Sequence, residues 1–190
     1  MRDYHEFLKG ILISEEALQK RVKELGAQIS QDYANQELLL VCILRGGVMF
    51  LTDLIREIDV PVAVEFMAVS SYGAGKREST GHVRISFDLA TDISNWHVLI
   101  VEDIIDSGHT LSSVLELLSS RKPRSLEVCT LLDKFERREL EVFVKYVGFP
   151  ILNKFVFGYG LDLDDLYRNL PFVGVVDEEK YKLTRSKQKE

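Results

Sequence analysis

The sequence predicts an α/β fold in which a mainly parallel, twisted sheet is flanked by helices and covered at one edge by a small cap. Short apolar runs alternate with helical stretches, the order typical of parallel α/β sheets. Several of these runs are apolar at consecutive positions, which indicates strands covered on both faces. The segment from Gly148 onward is instead rich in aromatic residues and aspartate, and we expect it to form the cap.

The first predicted helix follows Ser14, whose hydroxyl can cap it, and Glu15 and Glu16 favour its positive end. We expect this helix to end near Tyr33. Apolar residues recur along it at helical spacing: Leu18, Val22, Leu25 and Ile29.

Five strands and two further helices are predicted after it. The strands are Leu38–Ile43, Val62–Val69, Val83–Phe87, His97–Val101 and Ser125–Leu132. The helices are Val48–Ile58 and Thr110–Ser120. Open parallel sheets bind ligands beyond the carboxyl ends of their strands, so functional polar motifs are expected at that edge.

These elements fit a single domain over residues 1–190. We expect its core at about residues 36–147 and the cap, or hood, in the N-terminal residues and about 148–181.

Composition narrows the class of partner. Apolar residues make up 46% of the chain, enough to bury a core, and a net charge of −6 argues against nucleic acid or an anionic membrane as partners. The only cysteines, Cys42 and Cys129, lie in apolar runs, and no leader-like apolar segment opens the sequence. We therefore expect a reduced, cytoplasmic protein.

A chemically distinctive segment follows Val101. Glu102 and Asp103 are adjacent carboxylates that can accept hydrogen bonds from a diol. Residues 106–110, Asp-Ser-Gly-His-Thr, form a turn into a helix whose first amides make an anion site, and Gly108 permits close backbone approach. Carboxylates that can bind a diol, next to a turn that can bind a phosphate, indicate a site for a ribose phosphate.

The alternative is that Asp106, Ser107 and Thr110 only cap a helix. The adjacent carboxylates Glu102 and Asp103 repel each other, which is costly without a purpose, and this favours a ligand site.

The segment Val101–Thr110 resembles the phosphoribosyl pyrophosphate signature of the phosphoribosyltransferases. Further segments, in that family's order, narrow the resemblance to its hypoxanthine-guanine branch: Leu44–Gly47, Ser71-Tyr72 with Ser79–Gly81, Lys134, Phe155–Tyr159, Asp162 and Arg168. The resemblance covers nearly the whole chain. It implies a type I phosphoribosyltransferase fold, purine salvage from phosphoribosyl pyrophosphate to hypoxanthine or guanine, and Mg²⁺ as cofactor.

The resemblance implies a set of contacts with phosphoribosyl pyrophosphate. Glu102 and Asp103 bind the ribose hydroxyls. The 5′-phosphate is held by residues 106–110, which include Ser107, Gly108, His109 and Thr110. Pyrophosphate is held by Arg168, by Ser71 and Tyr72, and by a loop in which a cis peptide joins Leu44 to Arg45 and which continues through Gly46 and Gly47. His109 stands where some relatives have lysine, which leaves the phosphate affinity open.

The resemblance also implies the purine and metal contacts. Asp106 acts as general base or acid at purine nitrogen 7, and Lys134 donates to the exocyclic oxygen. Phe155 stacks on the base, and Val156 offers backbone contacts. Asp162 lies at the purine and binds Mg²⁺ together with Glu102 and Asp103.

Purely structural interpretations remain for some of these residues when each is taken alone. Arg45-Gly46-Gly47 could be an ordinary turn, Lys134 a surface lysine and Phe155 a core aromatic.

The residues leave two alternative functions open: a regulatory protein on the same fold that binds nucleotide or RNA without turnover, and an enzyme for xanthine or a pyrimidine. Segment Ser70–His82 is predicted to be a mobile lid, with an exposed hairpin as the alternative. We expect a homodimer or homotetramer, and the preference between hypoxanthine and guanine stays open.

Overall fold

The structure, a computed structural model, describes residues 3–71 and 83–186. Tyr72 and nearly all of the predicted lid Ser70–His82 lie outside these residues, and only the backbone of Ser71 is described.

In chain order, the described strands and helices are β1 (Leu8–Ile13), α1 (Glu15–Asp32), β2 (Leu38–Leu44), α2 (Val48–Leu54), β3 (Val62–Ser71), β4 (Val83–Phe87), β5 (His97–Ile105), α3 (His109–Ser120), β6 (Ser125–Asp133), β7 (Tyr146–Pro150), β8 (Val156–Phe157), β9 (Val173–Val176) and α4 (Glu178–Ser186).

Six of the described strands form the main sheet, in the order β4-β3-β2-β5-β6-β7. Strand β4 runs antiparallel to β3, and all other neighbours in this sheet are parallel. The α/β fold with a mainly parallel sheet is therefore confirmed.

The sheet buries both faces, as the consecutive apolar residues of its strands predict. In β2, Leu38, Leu40 and Cys42 face a core shared with α1 and α2, while Leu39 and Val41 face the core shared with α3. Successive side chains of a strand point to opposite faces, so a run apolar at every position needs cover on both. The central strand ends are thereby held rigidly.

Helix α1 forms as predicted. The Ser14 side chain accepts a hydrogen bond from the amide of Ala17 at 3.3 Å, and Tyr33 is the C-cap residue. The apolar stripe of the helix, Leu18, Val22, Leu25 and Ile29, is fully or almost fully buried.

Two predicted boundaries are wrong by four residues each, whereas several others differ by one or two. Strand β5 continues past Val101 to Ile105, because its pairing with β6 extends to Asp133, so Glu102 and Asp103 lie inside the strand. Helix α2 ends at Leu54 and not at Ile58, because the amides of Arg56 and Glu57 bond to carbonyls only three residues back.

A second sheet, with β9 between β1 and β8, forms the hood. Its small core gathers around Phe7, whose ring lies 5.7 Å from that of Phe157 and 5.4 Å from that of Tyr181. The N-terminal residues, the segment after β7 and helix α4 therefore pack as one cluster. Strand β7 runs to Pro150, past residue 148 where the sequence places the start of the hood.

Across residues 3–71 and 83–186, none of the helices has the length and apolar character needed to cross a membrane.

Candidate active site

The carboxyl end of β2 is followed by a tight loop that packs against the neighbouring strand β5. A cis peptide joins Leu44 to Arg45, as the sequence resemblance predicts, and Gly47 caps α2. Gly46 lies directly against the carboxylate of Asp103, so that a Cβ at this position would overlap Asp103 Oδ2. A side chain at residue 46 would thus displace a neighbouring site carboxylate.

The hood closes onto this loop from above. Gly160, at φ 96°, packs so closely on the carbonyl oxygen of Gly46 that a Cβ would overlap it. Arg168 Nη1 donates to the carbonyl of Gly160 at 2.7 Å, which fixes the arginine over the loop. The hood and the main sheet therefore meet through backbone at the predicted pyrophosphate site.

Two arginines and two aspartates form one network here. Arg168 Nη2 pairs with Asp162 Oδ1 at 2.7 Å, and Arg45 Nη2 pairs with Asp165 Oδ1 at 2.7 Å. Asp162 Oδ2 also accepts a hydrogen bond from the amide of Asp165 at 2.9 Å, which links the two pairs. The arrangement brings the predicted residues Arg45, Asp162 and Arg168 together and offers cationic groups to a polyanion.

Glu102 is buried, Asp103 beside it is partly buried, and the ionisation of both is disfavoured. Burial, and then the charge of Asp103, raise the pKa of Glu102 well above its ordinary value. Burial also raises the pKa of Asp103 to about 6, although backbone hydrogen bonds and Arg168 oppose the rise. A bound cation, or hydroxyl groups that donate hydrogen bonds, would stabilise the ionised form of these two carboxylates.

Residues 106–110, the predicted phosphate loop, form the turn from β5 into the start of α3. Gly108 adopts φ 90° as the N-cap of α3, a left-handed conformation that favours glycine. The first amides of a helix have no partner within it and therefore attract anions. The loop borders a cavity of about 120 Å³, lined by residues that include Glu102, Asp106, Ser107 and Thr110.

The segment after β6 clasps this phosphate loop. The amides of Glu139 and Leu140 donate to the carbonyl of Ser107 at 3.0 and 3.2 Å. His109 Nε2 lies 2.8 Å from Glu139 Oε2, a pair that is fully ionic only when the histidine is protonated. The His109 side chain is therefore engaged at the rim of the loop by a protein carboxylate.

Asp106 and Lys134, the two predicted catalytic residues, are in direct contact. Lys134 Nζ lies 3.2 Å from Asp106 Oδ2, and the lysine is 93% buried. Arg137 Nε lies 3.0 Å from Asp106 Oδ1. A carboxylate and a buried ammonium beside a phosphate loop can bind both an acidic N–H and a carbonyl oxygen of one planar ligand.

The predicted purine-stacking residue lies in the hood. Phe155 is 45% exposed, and its carbonyl accepts a hydrogen bond from the amide of Val176 at 2.9 Å. Val156 begins β8 and is buried. No described contact joins either residue to Asp106 or Lys134, so their purine contacts stay predictions.

The structure adds three residues that sequence reasoning missed. Asp165 holds Arg45, Arg137 contacts Asp106, and Glu139 pairs with His109. Charged residues of this kind are common on solvated surfaces, and their partners lie on other segments of the chain. The one available signal was that Arg137 and Glu139 closely follow Lys134.

Comparisons with known proteins agree with this geometry. Residues 12–164 match the family described as the phosphoribosyl transferase domain. A hypoxanthine-guanine phosphoribosyltransferase of Staphylococcus epidermidis is 52% identical over 177 residues, which are 93% of this chain and 98% of that protein.

Solved structures give the same result. The crystal structure of a hypoxanthine phosphoribosyltransferase from Staphylococcus aureus matches with a TM-score of 0.90 at 51% identity, covering 93% of this chain and 96% of the other. A hypoxanthine phosphoribosyl transferase of Trypanosoma cruzi, studied for the role of its C-terminal region in oligomeric state and activity, matches with a TM-score of 0.89 at 41% identity, covering 98% and 100%.

Proposed function

Because the chain belongs to the hypoxanthine-guanine phosphoribosyltransferase family, we propose that it transfers the 5-phosphoribosyl group from phosphoribosyl pyrophosphate to hypoxanthine or guanine. The products are IMP or GMP and pyrophosphate, and the reaction is a step of purine salvage.

One observation carries this proposal: the contact of 3.2 Å between Asp106 and Lys134 at the edge of the phosphate loop. A phosphate loop alone would suit many nucleotide-binding proteins. A proton acceptor and a buried cation next to it supply the two complementary groups that an oxopurine needs.

The reaction is a substitution at the anomeric carbon of the ribose. The bond from that carbon to the pyrophosphate oxygen breaks, and a bond to purine nitrogen 9 forms. Asp106 takes the proton released from nitrogen 7, and Arg45 and Arg168 stabilise the charge on the departing pyrophosphate. The close packing of Gly46 and Gly160 supports these positions by joining the hood to the sheet.

Lys134 provides the preference for oxopurines. Its ammonium donates to the exocyclic oxygen of hypoxanthine or guanine. Adenine carries an amino group there, and the buried donor would lose its acceptor, which penalises the wrong base strongly.

Two adjacent carboxylates of the site have the chemistry that magnesium prefers, although within residues 3–71 and 83–186 no three potential metal ligands already lie close enough to hold an ion. This ion is usually held by one or two carboxylates together with water and substrate phosphates. Glu102 and Asp103 are such a pair, and Asp162 is joined to the same region through Arg168. When bound, the ion would neutralise charge on the pyrophosphate, and we propose these three residues as its protein ligands.

The remaining features of the proposal concern the whole protein. We propose one domain, with a core at about residues 36–147 and a hood above it, and a homodimer or homotetramer as the assembly. Cys42 and Cys129 are free and buried, which supports a reducing, cytoplasmic location. We propose that the protein's partners are small-molecule substrates and that it binds neither nucleic acid nor a membrane.

An assay of product formation tests the proposal. The protein is incubated with hypoxanthine, phosphoribosyl pyrophosphate and Mg²⁺, and IMP and pyrophosphate are quantified. Asp106→Asn keeps the shape of the side chain but cannot accept the proton, so we expect kcat to fall by roughly a hundredfold or more. Full activity of this variant, or of the wild type in excess chelator, would contradict the mechanism.

A further inference from the structure

We propose that Arg137 is a positioning residue that holds Asp106 through Oδ1 and so reserves Oδ2 for the purine proton. The proposal rests on the proposed function, because it requires Asp106 to act as the base.

The two oxygens of Asp106 have different surroundings. Oδ1 is buried and has no hydrogen-bond partner among the described residues, but Arg137 Nε pairs with it electrostatically at 3.0 Å. The Asp106 side chain as a whole is nevertheless 44% exposed. Since Oδ1 contributes nothing to that exposure, Oδ2 is the oxygen that remains open to a ligand.

Oδ2 is also the oxygen that Lys134 contacts, at 3.2 Å. An ammonium carries three N–H donors, so Lys134 can donate to the exocyclic oxygen of a bound purine and to Asp106 Oδ2 at the same time. A contact at Oδ2 alone, however, leaves the carboxylate free to rotate about the Cβ–Cγ bond and to present either oxygen. Arg137 is the described cation that stays in place on the other side.

The segment that carries Arg137 is fixed relative to the phosphate loop. The amide of Arg137 donates to the carbonyl of Lys134 at 2.9 Å. Immediately after it, Arg138 pairs with Asp133 at 2.8 Å, and both side chains of this pair are largely buried. The Glu139 amide then bonds to the carbonyl of Ser107. Arg137 is therefore anchored on both sides of its own position.

The chemistry of arginine suits this task. A guanidinium stays charged throughout the accessible pH range and presents several N–H groups in a rigid plane. It can hold one carboxylate oxygen without competing as a proton donor for the reaction. A lysine at this position would keep the charge but lose the planar geometry.

Steady-state kinetics of matched variants test the inference. We compare Arg137→Gln and Arg137→Lys with a control variant, Arg124→Gln. Arg124 is an exposed arginine paired with Glu37 at the amino ends of β6 and β2, away from the site. We expect Arg137→Gln to lower kcat by about tenfold, the scale of a small misplacement of a catalytic group, with the KM for phosphoribosyl pyrophosphate unchanged within about twofold. Arg137→Lys should recover part of the loss, and Arg124→Gln should match the wild type.

A double-mutant cycle separates positioning from a general structural role. If Arg137 acts through Asp106, then Arg137→Gln should cause no further loss of kcat in an Asp106→Asn background. Additive losses, or a kcat of Arg137→Gln equal to that of Arg124→Gln, would overturn the inference. Absence of product from both the wild type and Arg124→Gln would instead overturn the proposed function, and this inference with it.

Discussion

Asp103 is the residue whose burial gives the clearest prediction of a pH effect. Its folded-state pKa is about 6 against an ordinary value of 3.8, so its ionisation opposes folding. The stability associated with the protonated group is fully present below pH 3.8 and is lost as the pH rises through about 6. At neutral pH the metal-free protein therefore carries a destabilising carboxylate.

We expect Asp103→Asn to raise the free energy of unfolding at pH 8 by about 1–3 kcal/mol in metal-free buffer, with the gain vanishing near pH 4. Urea unfolding at several pH values measures this. Asp88 is the matched control, because its hydrogen bond with Arg121 lowers its pKa, so that Asp88→Asn should destabilise at neutral pH and lose its effect as the pH falls. A gain for Asp103→Asn that does not depend on pH would show that its ionisation is not the cause.

Lys134 gives a prediction about ligand choice. We expect Lys134→Gln to lower kcat/KM for hypoxanthine by about tenfold to a hundredfold, the cost of a lost charged hydrogen bond, while titration calorimetry finds phosphoribosyl pyrophosphate binding nearly unchanged. The lysine contacts Asp106 and no described phosphate-loop amide, which motivates the separation. Selective loss of phosphoribosyl pyrophosphate binding would place Lys134 at the sugar phosphate instead.

Among single residues, local patterns predict the contiguous site segment, the family resemblance adds Arg45, Lys134 and Arg168, and supporting residues with remote partners are missed. Glu102, Asp103 and the loop 106–110 are contiguous, so their joint role is readable in one segment. Arg137 and Asp165 gain their contacts only when β5, β6 and the hood come together, and no spacing rule links them to Asp106 or Arg45.

Among the elements, helix α4 is coupled by side-chain contacts to the hood loop, residues 162–165. The hydroxyl of Tyr181 donates to Asp164 Oδ2, and Arg185 Nε lies 3.3 Å from the same oxygen. Asp164 stands between Asp162 and Asp165, and both of these pair with the site arginines. The C-terminal helix thus helps to hold the loop that carries the predicted pyrophosphate contacts.

We expect Tyr181→Phe to destabilise the protein by about 1–2 kcal/mol, the cost of losing a hydrogen bond to a charged acceptor. It should also raise the KM for pyrophosphate in the reverse reaction more than it lowers kcat. Thermal unfolding and reverse kinetics measure both effects. Thr184→Ala, which removes a hydroxyl that donates to the α4 backbone carbonyl of Lys180, is the control and should leave the KM unchanged. Equal KM values for the two variants would contradict the coupling.

The elements also show where sequence patterns suffice. The buried strands β2, β5 and β6 are long apolar runs, and their parallel pairing follows from the helices between them. The hood strands are short. Strands β8 and β9 have only two and four residues, too few to show the alternation of apolar and polar side chains that predicts a strand. They exist because the antiparallel pairing of distant segments satisfies their backbone groups, which a local pattern cannot reveal.

For the whole molecule, the candidate active site is built from both the hood and the main sheet. The sheet supplies Asp103, the phosphate loop and the Asp106–Lys134 pair, whereas the hood supplies Arg168 and Asp162. Gly46 and Gly160 let the two parts approach at the backbone. A site divided in this way can bind the sugar phosphate on the sheet and enclose the reacting groups from above.

A base panel with phosphoribosyl pyrophosphate and Mg²⁺ tests most directly whether the protein transfers phosphoribose to oxopurines. Hypoxanthine, guanine, xanthine and adenine are supplied separately, and kcat/KM is measured for each from nucleotide formation. We expect IMP from hypoxanthine and GMP from guanine, with adenine disfavoured by roughly a thousandfold or more because it leaves the buried Lys134 without an acceptor. Turnover of adenine at a rate comparable to hypoxanthine, or no nucleotide from either oxopurine, would contradict this expectation.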